Sequence, residues 1–159
     1  MHNKNILISP YSQPIDGLHS PKDWGDANWK ELVFKLKETY DMNVLQIGTF
    51  DEAQIKGTDI VFRSRPFEEI KKLVQNSRLV ISVDNFLPHL CKDINKKCVV
   101  IWGPSDSNIF GYKENLNIHG NREHLRKHQL HLWKECEQIN KEAFPTVEEV
   151  LRQISYLIG

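Results

Sequence analysis

Cysteine is scarce in this chain of 159 residues: Cys91, Cys98 and Cys136 are odd in number, widely spaced and include no CxxC pair. A disulfide framework and a cysteine-based zinc knuckle are thereby excluded, and reduced thiols are expected. Neither sign of charge predominates, because 21 Lys and Arg balance 21 Asp and Glu. No overall field recruits nucleic acid or an anionic membrane, so any anion site has to be assembled locally. Long apolar runs are absent as well, with none approaching the roughly 20 residues of a membrane span. The opening Met1-His2-Asn3-Lys4-Asn5 leads into a strand pattern rather than a signal-peptide core, which points to a soluble, cytoplasmic protein. Internal repeats, low-complexity tracts and a GxGxxG turn are missing too. The first strand opens instead into Ser9-Pro10-Tyr11-Ser12, so a nicotinamide or flavin dinucleotide site of the usual kind is not expected.

What is present is 40% hydrophobic residues, enough for one domain with a real core spanning 1–159. Two strand-then-loop segments stand out. Leu79 to Val83 runs into Asp84-Asn85-Phe86-Leu87-Pro88-His89, and Cys98 to Trp102 runs into Gly103-Pro104-Ser105-Asp106. Continuous apolar runs rich in β-branched residues read as buried parallel strands, and polar or small residues at their carboxyl ends lie where open α/β sheets bind ligands. Further strands are expected at Asn5–Ser9, Val44–Gly48, Asp59–Phe62 and Asn115–Ile118.

Helices fill the intervals. Trp29, Leu32, Val33 and Leu36 recur at helical spacing within 28–40, and Phe67, Ile70, Leu73 and Val74 do so within 66–75, with Pro66 suited to a first helical position. A short helix carries Leu87, Leu90 and Ile94. A polar helix is expected over 123–138, and a final one over 147–158 starts at a capping box of Thr146 and Glu149. Tyr11 to Gly25, dense in Pro, Ser, Gly and Asp, reads as a long loop. The alternation of strand and helix argues for an α/β, Rossmann-like three-layer α/β/α sandwich with a mainly parallel sheet. On the polar segment His124, His128 and His131 fall at i, i+4 and i+7, a spacing that can face imidazoles toward zinc, with Cys136 beyond. The interleaved Arg126, Lys127 and Gln129 and the lack of an acidic ligand point instead to a solvated helix and no metal.

The ordered segments resemble the C-terminal, donor-binding half of the heptosyltransferase family of GT-B glycosyltransferases, which use a nucleotide-diphosphate sugar to add heptose to lipopolysaccharide. The residues that carry the likeness are Lys22-Asp23-Trp24 in the Ser/Pro-rich loop, Asn28 to Leu32, Gln46-Ile47-Gly48 with Glu52, Phe67 to Ile70, Ile81 to Asn85 with His89, and Trp102 to Ser105. The resemblance implies that Asp84, Asn85, Phe86 and His89, at a helix start, receive the donor's phosphates, where backbone N–H groups and the helix dipole favour an anion. It also implies that Lys22 adds charge to the diphosphate, that Glu52 bonds ribose hydroxyls, and that Gly103 and Ser105 shape the pocket wall. Each residue has a plainer reading: Asp84 as a helix N-cap, His89 as a surface histidine, Lys22 as a solvated loop lysine, Glu52 as a helix-start carboxylate and Gly103-Pro104 as turn punctuation. Where the family has a small hydroxyl residue and then Gly after the aspartate, this chain has Asn85 and Phe86, and a benzyl group there is expected to narrow or close the phosphate pocket.

By the same resemblance the acceptor surface and the catalytic aspartate belong to an N-terminal half. The chain is then expected to catalyse hexosyl or heptosyl transfer only with an N-terminal domain or partner, or a homo-oligomer mate, on a donor such as ADP-heptose, with no cofactor. A stand-alone module that binds or sequesters a nucleotide or nucleotide sugar, and a degenerate scaffold for protein contact, are the alternatives.

Overall fold

The computed structural model of the chain describes residues 3–15, 19–133 and 139–158. Among these, strands β1 (Asn5–Ser9), β2 (Asn43–Gly48), β3 (Ile60–Arg63), β4 (Leu79–Val83), β5 (Val99–Ile101) and β6 (Leu116–Ile118) form one sheet in the order β3-β2-β1-β4-β5-β6. Every neighbouring pair is parallel. The order reverses between β1 and β4, which lie side by side in a register that sets Ser9 opposite Ser82. That junction is the topological switch point, where α/β sheets open a crevice at the strands' carboxyl ends.

Alternation along the strands builds the two faces. Ile6 and Ile8 of β1 join Trp29, Leu32, Val33 and Leu36 of α1 (Asp26–Tyr40) and Val147, Val150, Ile154 and Ile158 of α5 (Val147–Ile158) in one core. Leu7, pointing the other way, joins Val74 of α2 (Phe67–Gln75) and Leu87, Leu90 and Cys91 of α3 (Phe86–Asp93). Helices therefore cover both faces, which is the three-layer arrangement expected. Fully burying a Leu, Ile or Val side chain contributes roughly 1.5–3 kcal/mol, so these stripes outweigh the local propensity of any single residue.

The carboxyl-end loops depart from the expectations in instructive ways. Pro66 precedes α2 as its N-cap, with φ −60° and ψ 151°, rather than occupying its first turn. Phe67, expected on the buried stripe of α2, is 62% exposed and packs edge-on against Phe86 at the start of α3 instead. Where a polar helix is expected over 123–138, the described residues up to 132 form a 3-10 turn at Arg122–His124 followed by an irregular strap. The competing bonds explain the loss. The Arg126 amide donates to the Pro104 carbonyl, and the Gln129 side chain accepts from the Asp106 amide while donating to the Pro104 and Arg126 carbonyls. Residues 134–138, with Cys136, lie outside the described residues. A one-turn helix, α4 (Ser107–Phe110), follows β5. No helix among the described residues is long and apolar enough to cross a membrane.

Candidate functional site

Asn85 anchors the crevice. It is the N-cap of α3, its Oδ1 accepting from the Leu87 amide at 2.9 Å and from the Ser82 hydroxyl at 2.8 Å. On its other side Nδ2 donates to Ser9 Oγ at 2.8 Å and to the Tyr11 carbonyl at 3.0 Å. One side chain thus joins β1, β4, the first loop and α3 at the switch point. The capping role weighed for Asp84 belongs to Asn85, whose neutral amide alone can both cap the helix and donate to Tyr11.

Released from capping, Asp84 meets Lys22, whose ammonium stands 3.1 Å from Oδ2 with both side chains partly sheltered. The loop that delivers Lys22 is pinned on either side of it. Asp23 Oδ1 accepts from the Ser12 amide at 2.8 Å, and the Trp24 indole donates to the Pro145 carbonyl at 2.9 Å. Burial pushes the Asp23 carboxyl above its ordinary range, against the opposing pull of its backbone bonds to Ser12 and Ser20. Tyr11 OH donates to Asp26 at 2.8 Å, and burial followed by that carboxylate raises its phenol.

Glu52 occupies the loop after β2. Its Oε1 accepts from the Thr49 amide at 2.9 Å, whereas Oε2 has no hydrogen-bond partner among the described residues. Arg63, at the end of β3, braces this turn by donating to the carbonyls of Thr49 at 3.1 Å and Glu52 at 2.5 Å. Gly48 makes the approach possible, since a Cβ there would stand 2.5 Å from Glu52 Oε1. Burial raises the Glu52 carboxyl above its usual value, with the Thr49 bond opposing.

The start of α3 offers fewer amides than its polarity suggests. Pro88 has no N–H, and the Leu87 N–H is taken by Asn85, which leaves the Phe86 amide without a hydrogen bond among the described residues. The Phe86 ring is 43% exposed and stands edge-on to Phe67, centroids 6.2 Å apart, at the rim of the crevice rather than buried within it. His89, one turn on, is exposed, and its Nδ1 lies 2.6 Å from Tyr112 OH.

Gly103 and Ser105 are placed differently. Ser105 is 4% exposed, and a Cβ on Gly103 would collide with the Phe144 ring. Both are covered by the protein's own packing rather than open to solvent. The structure thus brings together Lys22, Asp84 and Asn85 around one junction, sets Glu52 on the loop after β2 and Phe86 and His89 on the first turn of α3, and buries the last two candidates. Asp23, Trp24 and Arg63, which hold the loops, were not assigned roles from the sequence. The alternation of acceptor and donor neighbours in Lys22-Asp23-Trp24 was the available signal for the first two, and nothing local marked Arg63.

The histidines of the strap do not converge. His128 and His131 stack at 4.5 Å, while His124 turns to Glu142 at 3.0 Å and Asn140 at 3.0 Å. Among the described residues no cluster of three metal-ligating side chains forms. A cavity of about 1070 Å³ opens on the α1 and α5 side, lined by Trp24, Asp26, Phe144 and Glu148 among others, and none of the eight candidate residues faces it.

No protein-family model matches the sequence. The lipopolysaccharide heptosyltransferase 1 of Salmonella typhimurium is 27% identical over 119 residues, covering 70% of this chain and 38% of that protein. Among solved structures, the E. coli heptosyltransferase WaaC with ADP superposes with a TM-score of 0.68 at 16% identity, over 98% of this chain and 44% of that one. E. coli ADP-heptose heptosyltransferase II gives 0.71 at 13% identity, over 98% and 46%. The dodecameric, iron-containing heptosyltransferase TibC in complex with ADP-D-β-D-heptose gives 0.61 at 17%, over 77% and 33%. The chain resembles the heptosyltransferases in sequence and shares their α/β fold, and it spans less than half the length of each of these relatives.

Proposed function

We propose that this chain is the donor-binding, C-terminal half of a cytoplasmic glycosyltransferase that uses a nucleotide-diphosphate sugar of the ADP-heptose kind. The observation that carries this reading is Lys22 reaching from the loop after β1 to Asp84 after β4, across the switch point where α/β sheets bind ligands. A flexible ammonium held beside the start of α3 can turn to a diphosphate without displacing the backbone. The uncommitted Phe86 amide and the positive end of the α3 dipole add to the attraction. On the neighbouring loop Glu52 Oε2 is free to accept from ribose hydroxyls, and Oε1 keeps it oriented through Thr49. The relatives described with ADP and with ADP-heptose supply the choice of nucleotide and sugar.

In transfer, the acceptor hydroxyl oxygen bonds to the sugar's anomeric carbon as the bond from that carbon to the diphosphate breaks, and the leaving oxygen gains negative charge. Lys22 and the helix start stabilise that charge without requiring a metal. The proton of the acceptor hydroxyl is taken by a base on an N-terminal half, supplied by the same polypeptide or by a partner.

A thermal-shift screen of nucleoside diphosphates and their sugar conjugates tests the reading. A ligand at 100 times its Kd adds about 2.7 kcal/mol of stability. ADP and ADP-sugars are expected to stabilise the wild type and to lose that effect with Lys22→Ala. No stabilisation by any nucleoside diphosphate would exclude a donor site and leave the scaffold alternative.

A further inference from the structure

The loop between β5 and β6 is clamped onto α3 by one aromatic side chain. The Tyr112 carbonyl accepts from Asn117 Nδ2 at 2.9 Å, and Asn117 Oδ1 accepts from the indole of the buried Trp102 at 2.9 Å. Tyr112 is therefore fixed to the sheet rather than carried on a free loop. Its ring meets His89 edge-on at 5.5 Å, and Lys92 lies 5.7 Å over its face while pairing with Glu114 at 2.6 Å. His89 and Lys92 are i and i+3 on α3, so they grip the ring from the same helix face. The hydroxyl arrives 2.6 Å from His89 Nδ1, and Nε2 has no hydrogen-bond partner among the described residues.

Resting on the nucleotide-site reading above, we propose that Tyr112 is a positioning residue that locks His89 in the tautomer with its proton on Nε2, making the imidazole a hydrogen-bond donor to a phosphate of the nucleotide. A neutral imidazole carries one lone pair and one N–H, and the bond made by one nitrogen fixes the state of the other. The phenol oxygen, its lone pair drawn into the ring, is a poor acceptor and a good donor. Tyr112 therefore donates to the lone pair of Nδ1, and the ring proton is left on Nε2. An unlocked ring would populate the other tautomer as well, which presents a lone pair to the phosphate and repels it.

Long-range 1H–15N correlation spectra of the neutral imidazole in the full chain decide the tautomer without any nucleotide. The wild type is expected to show a pyridine-type Nδ1 and a pyrrole-type Nε2. Tyr112→Phe, which keeps the ring and its contact with Lys92, is expected to shift both nitrogens toward the averaged values of a mixture and to weaken ADP binding about twofold, the reciprocal of the donating tautomer's share in an even mixture. In a His89→Gln background, whose amide donates from the Nε2 side whatever Tyr112 does, the same change should leave ADP affinity unaltered. A pyrrole-type Nδ1 in the wild type, or a spectrum unmoved by Tyr112→Phe, overturns the lock. Equal ADP affinity of Tyr112→Phe and the wild type overturns its role in binding. If the wild type binds no ADP, the nucleotide reading fails by itself, and the spectrum still rules on the tautomer.

Discussion

The ammonium of Lys22 and a carboxylate oxygen of Asp84, 3.1 Å apart, close the gap between the loops that follow the two central strands. Each charge answers the other, so an arriving diphosphate competes with Asp84 for the lysine. Lys22→Ala is expected to weaken ADP binding about 10- to 100-fold, the range of a charge-assisted hydrogen bond. Because that contact is partly open to solvent, the wild-type affinity should also fall with added salt while the variant's falls less. Calorimetric titrations at two ionic strengths check both; equal salt slopes would remove Lys22 from the site.

Gly48→Ala separates the nucleoside from the phosphates. The new methyl would stand 2.5 Å from Glu52 Oε1, and the end of a flexible side chain is what has to move. Stability is expected to change by less than about 1 kcal/mol, because the backbone there needs no conformation closed to alanine. Glu52 swings away from Thr49, so ADP affinity should drop severalfold while pyrophosphate affinity holds. A parallel loss for both ligands would place Glu52 elsewhere than at the ribose.

Asn85→Asp tests the junction beneath the site. Aspartate is as good an N-cap as asparagine, yet here the donor to Tyr11 and Ser9 is replaced by an acceptor facing the Tyr11 carbonyl. A loss of about 1–3 kcal/mol is expected in urea denaturation, the penalty for a buried polar group facing a like one. An unchanged midpoint would mean that the cap alone mattered.

His119 gives the fold an acid-sensitive point. Burial lowers its imidazole from 6.5 to about 4, and its ring stacks on Trp102 at 6.0 Å with Nε2 2.8 Å from Ser107 Oγ. A histidine whose folded value is depressed stays neutral while the unfolded chain takes up a proton. Its contribution to stability is therefore present above pH 6.5 and lost as pH falls toward about 4. Melting temperature should fall across that interval, and His119→Gln should flatten the fall.

Much of the architecture was legible because it rests on burial. The runs Asn5–Ser9 and Leu79–Val83 are apolar on both faces, which only a covered parallel sheet satisfies, and the stripe of α5 has a helical period with Thr146 at its start, where the hydroxyl accepts from the Glu149 amide at 3.1 Å. The segment from 123 to 133 was misread because composition records solubility, whereas its path is set by bonds from Arg126 and Gln129 to a loop some 25 positions earlier. Asp84 and Lys22 were singled out through family likeness, and their mutual contact was not. The four bonds of the Asn85 side chain, which tie β1, β4 and α3 together, were not foreseen. Such distinctions depend on which neighbour each donor meets, and that is decided by the register of β1 against β4 rather than by any local pattern.

The Phe144 ring lies against Gly103, and the backbone of Glu142 and Ala143 pairs with Gly120 and Asn121, so the approach to α5 crosses the carboxyl ends of β5 and β6. Seen from a ligand's side, this part of the sheet is roofed by the protein's own later residues. Enlarging either glycine would lift the roof and expose a second mouth beside the first.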